Sequence, residues 1–400
     1  MLWQKRKIGD IAQINEQSYS EKMEWTSVNY LDTGNITANR IDTIQKIDLN
    51  KEKLPSRAKR LVRHNSILFS MVRPNQRHFG IIKEIPENFL VSTGFVVIDC
   101  DAKYVNPEFV YYFLIQDYVI EGLQAIAEQS VSAYPSIKPS DIEKLEIDIP
   151  PLTVQNKIVG ILGEFDKKIE TQERINHNLQ QQLQALFDSW FKRFEPFSQS
   201  KYESELGLIP EGWDIKDIYS ISSIIYGAPF SSKLFNEERK GTPIVRIRDL
   251  KKQNTSTYTT EIHPKGYLIK NGDIIVGMDG EFRPYIWGSG EAWLNQRVCV
   301  FENKRPKGKV FLFCSIKPLL NLIEQTEVAT TVIHIGKQDF DAFRIVMPPI
   351  EILNAFDDIT APMYEQIVNN IMENHRLSAL RDTLLPRLMS GEIDVSEVEI

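Results

Sequence analysis

Residues 137–151 read IKPSDIEKLEIDIPP, and residues 335–349 read IGKQDFDAFRIVMPP. The two stretches align without a gap at a constant offset of 198. Ile137/Ile335, Asp141/Asp339, Ile147/Ile345 and the pairs Pro150-Pro151/Pro348-Pro349 are identical. Ile142/Phe340, Glu143/Asp341, Leu145/Phe343 and Ile149/Met347 keep their chemical type. The same offset carries Asn176-His177 onto Asn374-His375, and Leu186 onto Leu384. Upstream the match is looser, with Trp3, Ile8, Ile11 and Ile14 lying over Trp213, Ile218, Ile221 and Ile224 at an offset of 210. A changed offset places insertions and deletions in loops, which tolerate them. The chain is therefore a duplicate of itself, ordered domain, long segment, domain, long segment.

After Pro150-Pro151, apolar residues fall at 158, 162, 165, 169, 179, 183, 186 and 190, with Gln172 and Asn176 at the two missing positions. This 4-3 spacing predicts a helix with one apolar stripe. The second copy places Phe356, Met363, Ile367, Leu377, Leu384 and Leu388 equivalently, interrupted by Thr360, Asn370, Asn374 and Arg381. A Pro-Pro pair suits a helix start, and Pro386 is expected to kink or fray the last turn of the second helix. A single amphipathic helix lying on a core would carry the same stripe. Its length and its recurrence favour the two helices pairing with each other. Polar residues at the matched central positions 172/370 and 176/374 fit a device that fixes register at a cost in stability. Helices of about 40 residues would each run roughly 60 Å. The segment order makes the pair antiparallel, with similar domains at opposite ends, related by a pseudo-two-fold axis and facing a straight partner in opposite senses. The expected boundaries are 1–150 and 198–348 for the domains, 151–197 and 349–393 for the helices, and 394–400 for a tail.

Both domains mix short β patterns with turn signals. NSILFSMV at 65–72 resembles GDIIVGMD at 272–279, and STGFVVI at 92–98 lies over NQRVCVF at 295–301. A helical stretch follows in each, at 107–123 and 309–325. The expected fold class is α+β, with a twisted, mostly antiparallel sheet in each domain.

The formal charge of -7 argues against a protein that coats nucleic acid, until it is divided by segment. Residues 350–400 hold 3 basic and 10 acidic residues, while residues 1–150 hold 18 and 20, and residues 201–349 hold 20 and 18. Each domain also concentrates its basic charge. Lys51, Lys53, Arg57, Lys59, Arg60, Arg63, Arg73 and Arg77 face one acid, Glu52, within 49–79. Arg239, Lys240, Arg246, Arg248, Lys251 and Lys252 face Asp249 within 239–252. Lys304, Arg305, Lys307 and Lys309 form a further run. A single such run is often just a solvated face. One in each repeated domain suits phosphate contact, which makes Lys51, Lys53, Arg57, Lys59, Arg60, Arg63, Arg246, Arg248, Lys251 and Lys252 the phosphate candidates.

Beside these runs lie loops with base-reading chemistry. MVRPNQRHFG at 71–80 offers Arg73, Asn75, Gln76, Arg77 and His78; MDGEFRPYIWG at 278–288 offers Asp279, Glu281, Arg283 and Tyr285. Arg reads guanine bidentately, Asn or Gln reads adenine, and Asp or Glu accepts from cytosine. Gln296, Arg297 and Ser92 are weaker candidates. The two loops are equivalent in the repeat yet differ in nearly every residue, so two like scaffolds should read two different short sequences.

Much enzyme chemistry has no signature here. There is no GxxxxGK[ST], no GxGxxG after a strand and no GxSxG. The Pro-Pro pairs are flanked by Ile149/Leu152 and Met347/Ile350, so they do not make the Asn/Asp-Pro-Pro-aromatic motif of adenine methyltransferases. The six histidines show no HxH or HxxxH pairing, so no metal site is expected. Cys100, Cys299 and Cys314 are expected as reduced core residues. The start, MLWQKRK, lacks the apolar stretch of a signal peptide, and no apolar run approaches a membrane span, so a cytoplasmic, membrane-free protein is expected.

SDIEKLEIDIPPLTVQNKIVGIL at 140–162 resembles the helix-entry signature of type I restriction-modification specificity subunits. GLIPEGW at 207–213 is similar to the start of their second target-recognition domain, and LLPRLMSGEI at 384–393 to their C-terminal end. The resemblance covers essentially the whole chain. One departure is that the glutamine usual after Pro-Pro is present as Gln155 but replaced by Leu353 in the second copy. The resemblance implies a non-catalytic subunit with two tandem target-recognition domains separated by two long antiparallel coiled-coil helices. Its partners would be double-stranded DNA and two modification (methyltransferase) subunits, to which two restriction (translocase and nuclease) subunits can be added. S-adenosylmethionine, ATP and magnesium would be bound by those partners and no cofactor by this chain. Each domain would read half of a split, asymmetric target, and the helices would set the gap. Two other readings compete: a self-contained methyltransferase or nuclease with tandem recognition domains, which the missing cofactor motifs disfavour, and a coiled-coil adaptor that never touches DNA.

Overall fold

The computed structural model describes residues 3–130, 134–197, 199–326 and 334–398. The boundary expected at 198 and the last two residues of the expected tail lie outside them. The chain divides into two compact units: Met1–Asp166 with Ala379–Ile400, and Lys167–Ser378. Each unit takes part of both long helices.

In the first unit, the apolar run ILFS becomes the strand Ile67–Ser70, buried on both faces. It lies inside a four-stranded antiparallel sheet of order Ala12–Ile14, Phe95–Cys100, Ile67–Ser70, Phe79–Ile81. A second sheet orders Gln45–Asp48, Ser27–Leu31, Phe89–Ser92 and Ala58–Arg60, with Phe89–Ser92 parallel to Ser27–Leu31. Gln4–Lys7 pairs antiparallel with Glu146–Ile149, Gln4 opposite Ile149. The stretch expected as one helix at 107–123 is two, Pro107–Leu114 and Asp117–Glu128. Asn106 caps the first, its side-chain oxygen accepting from the Glu108 amide at 2.8 Å.

The second unit repeats this plan. Ser222–Tyr226, Val298–Asn303, Ile274–Gly277 and Pro284–Ile286 form the sheet of the same order. Asp214–Asp217 pairs with Arg344–Met347, Asp214 opposite Met347. The other sheet again contains one parallel pair, Thr242–Val245 beside Ala292–Leu294. Strand order, pairing sense and register therefore recur in the four-stranded sheet, while the other sheet of the second unit has five strands, with Phe235–Asn236 added at its edge.

The long helices are Leu152–Phe191 and Ile350–Met389, 40 residues each, displaced by the same 198 as the sequence repeat. Each begins directly after its Pro-Pro pair. The carbonyls of Pro151 and Pro349 accept the first amides, from Val154 and Gln155 and from Ile352 and Leu353. The second helix runs through Pro386 to Met389, where fraying was expected. Leu385, Leu388 and Met389 are buried in the first unit's core, which offsets the one hydrogen bond the proline removes.

Within the second unit the helices pair antiparallel. Phe187 lies against Phe356, Asn176 against Asn370, and the Ile169 carbonyl against Asn374. Phe191 meets Phe356, Phe311 and Trp213 at centroid distances of 4.8, 4.9 and 5.9 Å. Such pairs contribute about 0.5–1.5 kcal/mol each beyond their burial and fasten the helix ends to this unit. Within the first unit Arg381, the charged interruption of the stripe, binds Asp166 at 2.6 Å, and Asp166 also accepts from the Tyr112 hydroxyl at 2.7 Å.

Cys299 and Cys314 are buried and Cys100 is partly so; all three are free thiols. Burial pushes the thiols of Cys100 and Cys314 up to about 12. Among the described residues no helix is long and apolar enough to cross a membrane.

Candidate nucleic-acid interface

In the first unit the 71–80 loop leaves the buried Ile67–Ser70 strand and turns over the short helix Pro74–Gln76. Arg73 and Arg77 flank that turn with φ of 49° and 57°. Left-handed backbone at a non-glycine residue costs on the order of 1 kcal/mol and marks a turn whose shape is imposed by its surroundings. Those surroundings are visible. Val72 bridges Ser136, and the Arg73 amide donates to the Pro135 carbonyl at 3.0 Å. The Asn75 amide donates to Gln124 Oε1 at 3.3 Å, and Arg77 binds Asp117 at 2.5 Å.

The loop therefore presents its candidates unequally. Arg73, Asn75, Gln76 and Arg77 are exposed. The Arg73 guanidinium lies over the Tyr134 ring, 5.5 Å from its centroid. His78 is half-buried, its Nδ1 within 2.7 Å of the Ile36 carbonyl and 3.2 Å of the Thr37 hydroxyl. Ser92 is buried and hydrogen-bonds Asp32. Burial pulls the Asp32 carboxyl upward, but the Thr33 amide, the Ser92 and Tyr30 hydroxyls and the Arg57 charge together hold it below the ordinary aspartate value.

Of the phosphate candidates here, Lys53, Arg57 and Lys59 are exposed, and Lys51 reaches Asp48 at 3.1 Å. Arg60 is half-buried, and its Nε has no hydrogen-bond partner among the described residues. Arg63 is engaged by the fold, 3.2 Å from the buried Asp99 carboxylate and 3.6 Å from Glu16.

In the second unit the stretch at 278–288 divides. Asp279 is drawn to Arg297, Nε to Oδ2 at 3.6 Å, and to His334, whose Nδ1 is 2.6 Å from Oδ1. Arg297 Nη1 approaches the same imidazole, 3.0 Å from Nδ1 and 3.3 Å from Nε2. Two separate candidates thus meet through a residue that base-reading chemistry had not singled out. Gly227 makes the turn behind Arg297 possible, since a Cβ there would lie 2.0 Å from the Asn295 carbonyl oxygen. Glu281 and Gln296 are exposed. Arg283 and Tyr285 instead line a cleft of about 800 Å³ with Lys317, Asn321, Glu324 and Gln180. Burial pushes the Tyr285 hydroxyl up, and Glu281 adds to that.

Arg248, Lys251 and Lys252 are exposed. Arg246 is held inside the unit by Asp249 at 3.1 Å and by the Thr257 hydroxyl at 2.5 Å. The residues missed by sequence are Asp32, Tyr134 and His334. Tyr134 and His334 left one usable signal, since each lies within three residues of the quoted repeats at 137 and 335.

The chain matches the family model described as the type I restriction modification DNA specificity domain, over residues 2–181 and again over 210–376. It is 26% identical to the type I restriction enzyme HindI specificity subunit of Haemophilus influenzae, covering 98% of this chain and 99% of that one. It is 29% identical to the MjaIX specificity subunit of Methanocaldococcus jannaschii, over 74% and 71% of the two chains. Its fold is similar to that of the type I restriction-modification S subunit from M. genitalium, with a TM-score of 0.51, 17% identity and 96% of each chain covered.

Proposed function

Because the chain belongs to the type I restriction modification DNA specificity family, with two specificity domains in tandem, we propose that each domain reads one half of a split, asymmetric DNA target. The chain carries no catalysis of its own in this reading. It directs adenine methylation by two modification subunits, which bind S-adenosylmethionine. Restriction subunits, using ATP and magnesium, join the complex where cleavage also occurs. The long helices act as an antiparallel coiled coil that sets the gap between the half-sites and offers an acidic, protein-facing surface to the modification subunits.

One observation carries this reading. The four-stranded sheets of the two units share strand order and register, yet the loops at 71–80 and 278–288, equivalent in that plan, hold different donors and acceptors. Like scaffolds with unlike reading groups suit two unlike half-sites. Exposed Arg73, Asn75 and Gln76 are the reading groups of the first unit, and Asp279, Arg297 and Gln296 those of the second. In this reading the exposed Lys53, Arg57, Lys59, Arg248 and Lys252 contact phosphates.

The test is to map methylated adenines in cells carrying Arg73→Ala or Arg297→Ala. Each variant should relax one half of the motif and leave the other half and the gap unchanged. An unaltered motif in both strains, with methylation retained, would exclude these loops as the readers.

A further inference from the structure

We infer that His334 is a specificity-determining positioning residue, which fixes the Arg297 guanidinium so that it discriminates one base pair in the half-site of the second unit. This rests on the reading of the chain as a two-part DNA recognition subunit, and adds a residue and a mechanism to it.

Arginine is a long, flexible side chain, and one that must find its base from many rotamers loses affinity and selectivity. Arg297 is half-exposed and follows a turn, yet it is held at two points. Asp279 lies 3.6 Å from Nε, and His334 lies against Nη1. Asp279 also fixes the imidazole. Nδ1 lies 2.6 Å from Asp279 Oδ1, and Arg297 Nη1, 3.0 Å from Nδ1 and 3.3 Å from Nε2, lies across the imidazole ring, so the guanidinium packs on a ring that Asp279 orients. The Met278 carbonyl, 3.1 Å from Nδ1, supports the same ring orientation. Arg297 Nη2 has no bond among the described residues. Its donors are the ones left to meet a guanine edge, and guanine is the base an arginine edge selects.

His334 is placed for this by backbone, not by chance approach of two surface side chains. Asp279 and His334 form an isolated antiparallel bridge, and the Ile335 amide donates to the Met278 carbonyl at 2.9 Å. The Met278 amide in turn donates to the Arg297 carbonyl at 2.9 Å. The three side chains therefore come from three backbone segments tied together by hydrogen bonds.

The first unit repeats the frame with different chemistry. Val72 bridges Ser136, Ile137 N donates to Met71 O at 2.9 Å, and Met71 N donates to Gly94 O at 2.9 Å. There Tyr134, two residues before the bridge, lies beneath Arg73. In both units an exposed arginine of the reading surface is steadied by a side chain from the segment preceding the Ile137 or Ile335 repeat. Tyr134 and His334 thus belong to the two reading surfaces and differ in chemistry as the loops do.

The experiment uses the full chain expressed with its own modification partner in cells, with methylated adenines mapped genome-wide. Strains carry the wild type, a deletion of the gene, Arg297→Ala, His334→Ala and His334→Asn. Arg297→Ala and His334→Ala should relax the same single position of the same half-site, lowering discrimination there about 10- to 100-fold. The other half-site should be unchanged. His334→Asn, which keeps a polar nitrogen near Nδ1 for Asp279 and a planar face for the guanidinium, should restore much of the selectivity. Relaxation by Arg297→Ala with a wild-type motif for His334→Ala would overturn the positioning role. Relaxation at different positions would overturn it as well. If His334→Ala abolishes methylation by unfolding the chain, His334→Leu, which keeps the side-chain bulk and removes both ring nitrogens, takes its place in the same position-by-position comparison. Identical methylation in the wild-type and deletion strains would instead overturn the underlying DNA-recognition reading.

Discussion

Asn370 donates its side-chain amide to Asn176 Oδ1 at 2.8 Å, across the seam where the two long helices meet in the second unit. Asn176 in turn reaches the Ile367 carbonyl at 3.4 Å. Both residues are nine-tenths buried or more, among neighbours such as Ile367 and Ile169. Asn370 Oδ1 accepts from Gln366 on the same helix at 2.7 Å, so a slip of register would orphan the Asn370 amide nitrogen and the Asn176 oxygen, which selects one register.

Asn370→Leu alone should destabilise the chain by about 1–3 kcal/mol, since Asn176 keeps a buried oxygen with no donor. Combining it with Asn176→Leu should recover most of that loss. Denaturant melts of the two singles and the double form a cycle that measures the coupling. Additive losses would show that the pair does not act as a unit.

Gln155 is fully buried and ties the first helix to the segment ahead of Pro107. It accepts from the Asn106 amide at 2.8 Å and donates to the carbonyls of Pro150 at 2.8 Å and Tyr104 at 3.3 Å. The equivalent Leu353 is 1% exposed and packs in the second unit's core. Gln155→Leu should cost about 1–3 kcal/mol by orphaning three backbone groups, and Leu353→Gln a similar amount by burying an amide with no provided partner. Thermal melts of the two variants check this; a neutral Gln155→Leu would contradict it.

Asp32 gives the stability a pH dependence of fixed sign. Its carboxyl is held below the ordinary aspartate value in the folded chain. Its contribution is therefore fully present above that ordinary value, about 3.9, and is lost as pH falls through the lower folded value. Asp32→Asn should lower the melting temperature at pH 7 and flatten the acid limb below about pH 4. An unchanged acid limb would contradict the assignment.

Removing seven residues from each long helix shortens each by about 10 Å. The register of the apolar stripe is kept, since seven residues is one repeat of it. The gap in the methylated motif should shrink by about three base pairs at 3.4 Å each, or methylation should cease. A normal motif with an unchanged gap would rule out the helices as its ruler.

The repeat and the helices were legible because they rest on local periodicity. The identical residues at 137–151 and 335–349 carry the register, and the 198 offset reappears in both helix starts and both helix ends. The reading surface was legible only in outline. Counting basic residues could not show that Asp99 engages Arg63 or that Asp249 engages Arg246, because both partners are set by tertiary contact. Nor could spacing show that Arg283 turns into a cleft while Asp279 turns toward Arg297. His334 lies 37 residues from Arg297 and 55 from Asp279, a separation that no local pattern spans.

The most direct test of the whole account is a genome-wide map of methylated adenines in otherwise identical cells with and without this gene. The account predicts a two-part, asymmetric motif with a fixed gap that is methylated only when the chain is present. Identical methylation in both strains, with the chain and its modification partner expressed and assembled, would contradict it.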